Sequence, residues 1–245
     1  MATFSYGMFY AYWDPTYWMV IVGGILCLIA SARVKSTYNK FSKRYGRRGI
    51  TGAMAAQMIL ARNGIADVSI EMTPGNLTDH YDPKQKVLRL SANVYQSSSV
   101  AAVGVAAHEC GHAIQHQQAY YPLIMRSTIV PVVNFGSMIS WPLIIIGLML
   151  GRGATQGTMG SIMVQAGILL FTVVVLFQLI TLPVEFNASK RAMIALEQDQ
   201  ILEINEQREA RKVLNAAALT YVASAAAAIL QLLRLLMLFG GRSRD

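Results

Sequence analysis

The chain is short of charge, cysteine and histidine, and each shortage excludes something. Only 14% of its 245 residues are charged, against 54% hydrophobic, where a soluble domain carries about 25% charged residues. That deficit excludes an ordinary soluble protein and points to a membrane. Two cysteines, Cys27 and Cys110, exclude a disulfide framework. Acids are absent from the stretch 33–48, where seven bases (Arg33, Lys35, Lys40, Lys43, Arg44, Arg47, Arg48) follow the first apolar run. The net charge of +8 is therefore not read as a nucleic-acid surface. Its placement is that of a cytoplasmic juxtamembrane segment on anionic lipid. No basic segment precedes the first apolar run, which argues against a cleaved signal peptide. There is no internal repeat, and the one biased tract is an Ala-rich stretch near the end.

What is present is long apolar runs. Aromatics crowd residues 4–18, as in an interfacial belt, and a charge-free run follows over 15–32, so 1–34 is predicted as a first transmembrane helix. Two more charge-free runs, about 127–151 and 159–182, predict a transmembrane pair over 127–182, joined by a polar loop at Gly151-Arg152-Gly153. Residues 183–212 hold six acids and five bases and predict a cytoplasmic helix. A fourth apolar segment covers 213–239, with Arg234 near its end and able to snorkel. Four spans place both termini outside, against which Arg242 and Arg244 run counter to the positive-inside rule.

Residues 35–122 read as a cytoplasmic α+β region. Thr51 caps a short helix that Asn63-Gly64 ends. The period then becomes two: Val68, Ile70 and Met72 alternate with polar residues, and a hairpin follows, 77–81 and 86–94 around Asp82-Pro83-Lys84-Gln85. The fold class expected is a mainly α polytopic membrane protein, about four transmembrane helices with a small α+β, gluzincin-like catalytic region containing a β-hairpin.

Two of the four histidines stand in His108-Glu109-Cys110-Gly111-His112. Four apart on a helix, they share a face, and both imidazoles can reach one Zn²⁺, with Glu109 as the general base. Ser97-Ser98-Ser99 supplies caps, and the run 100–107 is small and apolar, as a packed helix would be. Cys110 points away from the histidine face. The hairpin leading into this helix is either plain structure or an edge for strand addition by an extended substrate.

A catalytic zinc takes three protein ligands and leaves one position open. An even number of spans brings residues 183–212 back to the side of His108. Among the acids there, Glu185 stands alone in apolar surroundings and is favoured as the third ligand; a pair with Lys190 or Arg191 is the plainer alternative. His116 continues the same face, but three histidines at this spacing extend about 12 Å along a helix, too far for one metal. His80, in the hairpin, is either a turn residue or a donor to a tetrahedral oxyanion.

The motif helix, Leu182-Pro183-Val184-Glu185-Phe186-Asn187-Ala188-Ser189, Val213-Leu214-Asn215-Ala216-Ala217-Ala218-Leu219-Thr220-Tyr221 and Tyr12-Trp13-Asp14-Pro15-Thr16-Tyr17 together resemble the YugP-type neutral zinc metallopeptidases of bacterial membranes. More distantly, Glu185-x-x-Ala188 resembles the E-x-x-A-D signature of HtpX-type membrane proteases, in which Glu binds zinc. Ser189 stands where that signature has Asp, so Asn187 or Ser189 would hold a ligand, or Glu109, through a neutral hydrogen bond. The resemblance implies a zinc endopeptidase of the bacterial plasma membrane acting through a zinc-activated water. From the span count the site would face the cytoplasm at the lipid bilayer, and from that position its substrate would be a peptide or membrane protein. Two rivals are weighed against it. An intramembrane site-2-type protease needs a Leu-Asp-Gly in a span, and the spans contain no Asp. A non-catalytic zinc scaffold needs a fourth protein ligand, and none is found.

Overall fold

The computed structural model describes residues 14–150 and 158–239. The parts of the aromatic belt before residue 14, the Arg152 loop, Arg242 and Arg244 lie outside the described residues. The protein is a polytopic α membrane protein with a small α+β region. Among the described residues four helices are long and apolar enough to cross a membrane: α1, Trp18–Phe41; α5, Tyr121–Leu150; α6, Met159–Gln198; and α7, Ile204–Phe239. Between the first two lie α2 (Gly52–Arg62), β1 (Ser69–Thr73), β2 (His80–Asp82), β3 (Val87–Ser91), α3 (Ala92–Tyr95) and α4 (Val100–Gln117).

The chain divides into two compact units. The first contains residues up to 29, 129–179 and from 222 onward. Here small residues let helix backbones approach, which is how helices pack where apolar burial gives no advantage over lipid. A Cβ on Gly147 would lie 2.7 Å from the Gly160 carbonyl oxygen, and one on Gly167 2.8 Å from that of Ser140. Gly23 faces Ala227 in the same way. Arg234 is paired: its guanidinium bonds the Asp14 carboxylate and lies 5.4 Å from the Tyr17 ring centroid. An ion pair with Asp14 holds this cation.

The second unit contains residues 30–128 and 180–221. Its sheet has the order β1-β3-β2, with β1 parallel to β3 and β2 antiparallel to it. The hairpin expected around Asp82 is thus β2–β3, and β2 is an edge. The strand expected to run to Val94 stops at Ser91. The Asp79 carboxylate takes both the backbone N–H and the hydroxyl of Ser91, and the chain turns into α3. Thr51 caps α2 by accepting from Met54 N, and Gly64 supplies the left-handed exit at φ +70°. The core gathers Ile59, Leu88, Leu90, Val94, Val103, Leu196 and Ile201, all nearly or fully inaccessible.

Two helix boundaries differ from expectation. Pro183 does not begin a helix; it lies inside α6, which runs unbroken from the third apolar segment to Gln198. The polar stretch 183–212 is therefore two helices, the end of α6 and the start of α7. They are separated near Gln200, whose φ of +51° turns the chain.

Candidate functional site

Helix α4 is the centre of the second unit. Ser99 caps its start by accepting from Ala102 N, and its small residues let other helices press against it. Gly111 is the tightest point. A Cβ there would lie 2.4 Å from the backbone oxygen of Ala188 on α6, so only glycine admits this approach. Ala188 is three residues past Glu185 and one before Ser189, so the contact sets where α6 presents both. Gly111→Ala is expected to destabilise the protein by about 1–3 kcal/mol, the range for overpacking, and to lower zinc retention. Melting temperature and metal content of the purified variant check this; unchanged values for both would show that the helices can part without consequence.

The approach brings His108, His112 and Glu185 together. One ligand atom from each lies within 4.8 Å of the others. Glu185 Oε2 is 3.3 Å from His108 Nε2 and 3.6 Å from His112 Nε2. The imidazoles stand edge to face, ring centroids 4.8 Å apart. Glu185 is 2% exposed. Burial pushes its carboxyl upward, but the contacts with His108 and His112 win and hold it well below the usual carboxylate range. Burial likewise works against a charged His112, and Glu185 and Glu109 outweigh it, holding that imidazole above its ordinary value.

Hydrogen bonds fix which nitrogen of His112 faces the cluster. Arg191 Nε, which can only donate, bonds Asn187 Oδ1 at 2.7 Å. Gln115 Nε2 donates to that same oxygen at 3.0 Å and to the Val184 carbonyl at 2.8 Å. The remaining Gln115 atom is its carbonyl oxygen, 3.0 Å from His112 Nδ1. It can only accept, so Nδ1 carries the proton and Nε2 is left for the metal. Ser189 Oγ lies 3.1 Å from His108 Nδ1 and supports that ring. A donor set of two imidazole Nε2 atoms and one carboxylate, each held from behind, fits Zn²⁺ with a position open.

Glu109 is 8% exposed. Its Oε2 accepts the Tyr81 backbone N–H at 3.1 Å, so the outer edge of β2 points at it. His116 does not join the histidine pair; its Nδ1 is hydrogen-bonded with the Tyr81 hydroxyl at 2.8 Å. Burial, with Asp67 and Asp82 nearby, pushes that phenol up to about 12, so it stays protonated. The His80 ring is exposed, with Nδ1 donating to the Thr78 carbonyl at 2.8 Å, apart from the converging donors. Cys110 is buried and directed to the Ala56 carbonyl; burial raises its thiol. Helix α4, which carries the motif, is not among the four long apolar helices.

Arg126, Gln115 and Tyr221 are site residues that sequence reasoning missed. Arg126 Nη1 donates to Glu185 Oε1 at 2.7 Å, taking the place assigned to Lys190 or Arg191 and leaving Oε2 to the imidazoles. Tyr221 lies near the same carboxylate. A signal for Arg126 existed: it is the one charged residue between His116 and Arg152, as isolated as Glu185. Gln115 carries no signal in its own neighbourhood; it is fully buried.

A family model described as "Putative neutral zinc metallopeptidase" matches residues 16–240. The chain is 48% identical, over 218 residues, to "Putative membrane protease YugP" of Bacillus subtilis (strain 168), covering 88% of this chain and 93% of that protein. No solved structure matches significantly.

Proposed function

We propose, from the premise that this chain belongs to the neutral zinc metallopeptidase family matched over residues 16–240, that it is a membrane-embedded zinc endopeptidase with its site at the cytoplasmic membrane surface. The observation that carries the reading is the convergence of His108 Nε2, His112 Nε2 and a Glu185 carboxylate oxygen beside a buried Glu109. Zinc, when bound by these three, supplies a Lewis acid that acidifies water and polarises a carbonyl.

The remaining steps belong to the chain's own side chains. Glu109 has one carboxylate oxygen anchored on the Tyr81 N–H and another to take a proton from the attacking water. It then returns that proton to the leaving amine. Arg126 holds Glu185 by Oε1 and keeps Oε2 turned to the imidazoles. The outer edge of β2 offers backbone groups along which an extended peptide can lie as an added strand. His80, exposed on that strand, is placed to touch such a peptide rather than the metal ligands.

The seven bases of the stretch 33–48 orient the protein in a bacterial plasma membrane, multi-pass, with α4 in the cytoplasm. A site so near the bilayer suits juxtamembrane loops of membrane proteins as substrates. Purified protein in lipid nanodiscs is expected to cleave a co-reconstituted membrane protein faster than soluble casein. A chelator should abolish both activities and equimolar Zn²⁺ restore them. Cleavage that survives complete removal of zinc would sink the metallopeptidase reading. Equal rates on casein and on the membrane substrate would sink the juxtamembrane one.

A further inference from the structure

Away from the metal centre, the second unit holds a cavity of about 300 Å³ lined from two helices. Helix α1 contributes Arg33, Ser36, Thr37 and Lys40, and α7 contributes Lys212, Asn215, Ala216 and Leu219. Each set follows the i, i+3, i+4, i+7 spacing of a single helix face, so two faces close on one space. Three cations, two hydroxyls and one amide line it, and among the described residues no carboxylate does.

Six other cations of this unit are paired with carboxylates, and of the unpaired ones Lys35 and Arg48 each line a different pocket as its one cation, so what sets Arg33, Lys40 and Lys212 apart is that they gather around one space. Arg44 pairs with Glu209, Arg47 with Glu203, Arg62 with Asp199 and Arg126 with Glu185. Lys86 pairs with Asp67, and Arg89 with Glu71 and Asp82. Arg33, Lys40 and Lys212 have no carboxylate partner among the described residues. Like charges gathered around one small space repel unless an anion enters. The wall also has an apolar side, Phe41 and Ala216 buried and Leu219 exposed. The cavity lies where the charge-free runs of α1 and α7 give way to polar residues, which is headgroup depth for a spanning helix.

The geometry points to a binding site for a phosphate mono- or diester, its oxygens taken by Arg33, Lys40 and Lys212 with Ser36, Thr37 and Asn215 as neutral donors. The source the apolar side favours is an anionic phospholipid whose headgroup enters the cavity while its chains stay with the helices. This is more than a diffuse attraction of the basic segment to the membrane, because it assigns three named cations and leaves out Lys35, Lys43 and Arg48.

The full-length protein in detergent, titrated with phosphatidylglycerol and with phosphatidylcholine, is examined by native mass spectrometry. Three forms are compared: the wild type, R33Q/K40Q/K212Q, and the control K35Q/K43Q/R48Q. The wild type should hold a phosphatidylglycerol adduct that phosphatidylcholine does not reproduce. The pocket triple should weaken it by about fivefold for each removed charge, while the control changes it less than fivefold. Zinc content and melting temperature, unchanged in both triples, exclude misfolding. Glycerol 3-phosphate is added in parallel. If it binds alone and displaces the adduct, the site stands and its ligand is a soluble phosphate ester; if it does neither, the ligand is the lipid. Equal loss in both triples, or no selective adduct in the wild type, overturns the proposal.

Discussion

Glu109→Gln leaves zinc in place and removes cleavage. Glu109 lies outside the three converging donors, so metal binding does not need its charge. The Gln carbonyl can still accept the Tyr81 N–H, so the edge of β2 keeps its contact. What is lost is the capacity to take a proton from water and hand it to an amine, a contribution worth about 10²–10⁴ in rate. The measurement pairs metal stoichiometry with single-turnover cleavage on wild type and variant. Retained zinc with a loss in that range supports the general base. Equal cleavage by the two proteins would remove Glu109 from the mechanism.

Glu185→Ala loses zinc and cleavage together. It deletes the anionic ligand and at the same time strips Arg126 of its partner. Zinc affinity should fall by more than the roughly 10–100-fold that follows from disturbing a group merely supporting a ligand. The stability cost should be smaller than for a fully buried pair, about 1–3 kcal/mol, because the Arg126 side chain is 29% exposed and can rehydrate. Adding Arg126→Ala separates the effects: the double variant should regain stability without regaining zinc. A Glu185→Ala protein with full zinc occupancy would eliminate this carboxylate as a ligand.

What the sequence makes legible here is local. His108, Glu109 and His112 are read from spacing along one helix, the Ser99 cap from its place before an apolar run, and four spans from runs without charge. The third member of the cluster also shows, because Glu185 is an isolated acid next to such a run. What is not legible is pairing at a distance. Arg126 and Glu185 are 59 residues apart, and nothing in either neighbourhood names the other until α5 and α6 are folded. The burial of Gln115 depends on α6 arriving at Gly111. The end of β3 at Ser91 depends on a carboxylate twelve residues earlier. The parallel pairing of β1 with β3 has no periodic signature of its own.

The hydrogen bonds that link Arg191, Asn187, Gln115 and His112 are fixed in direction: Arg191 and Gln115 both donate to Asn187, and His112 donates to Gln115. Arginine cannot accept and the Val184 carbonyl cannot donate, so neither amide can flip without orphaning a buried group. The proton on His112 Nδ1 is therefore a fixed part of the protein. Loading with metal then becomes an exchange confined to one side of the ring, in which only a proton on Nε2 can leave as zinc enters. Counted in protons released, His112 contributes one at most, and that one comes from the side facing Glu185.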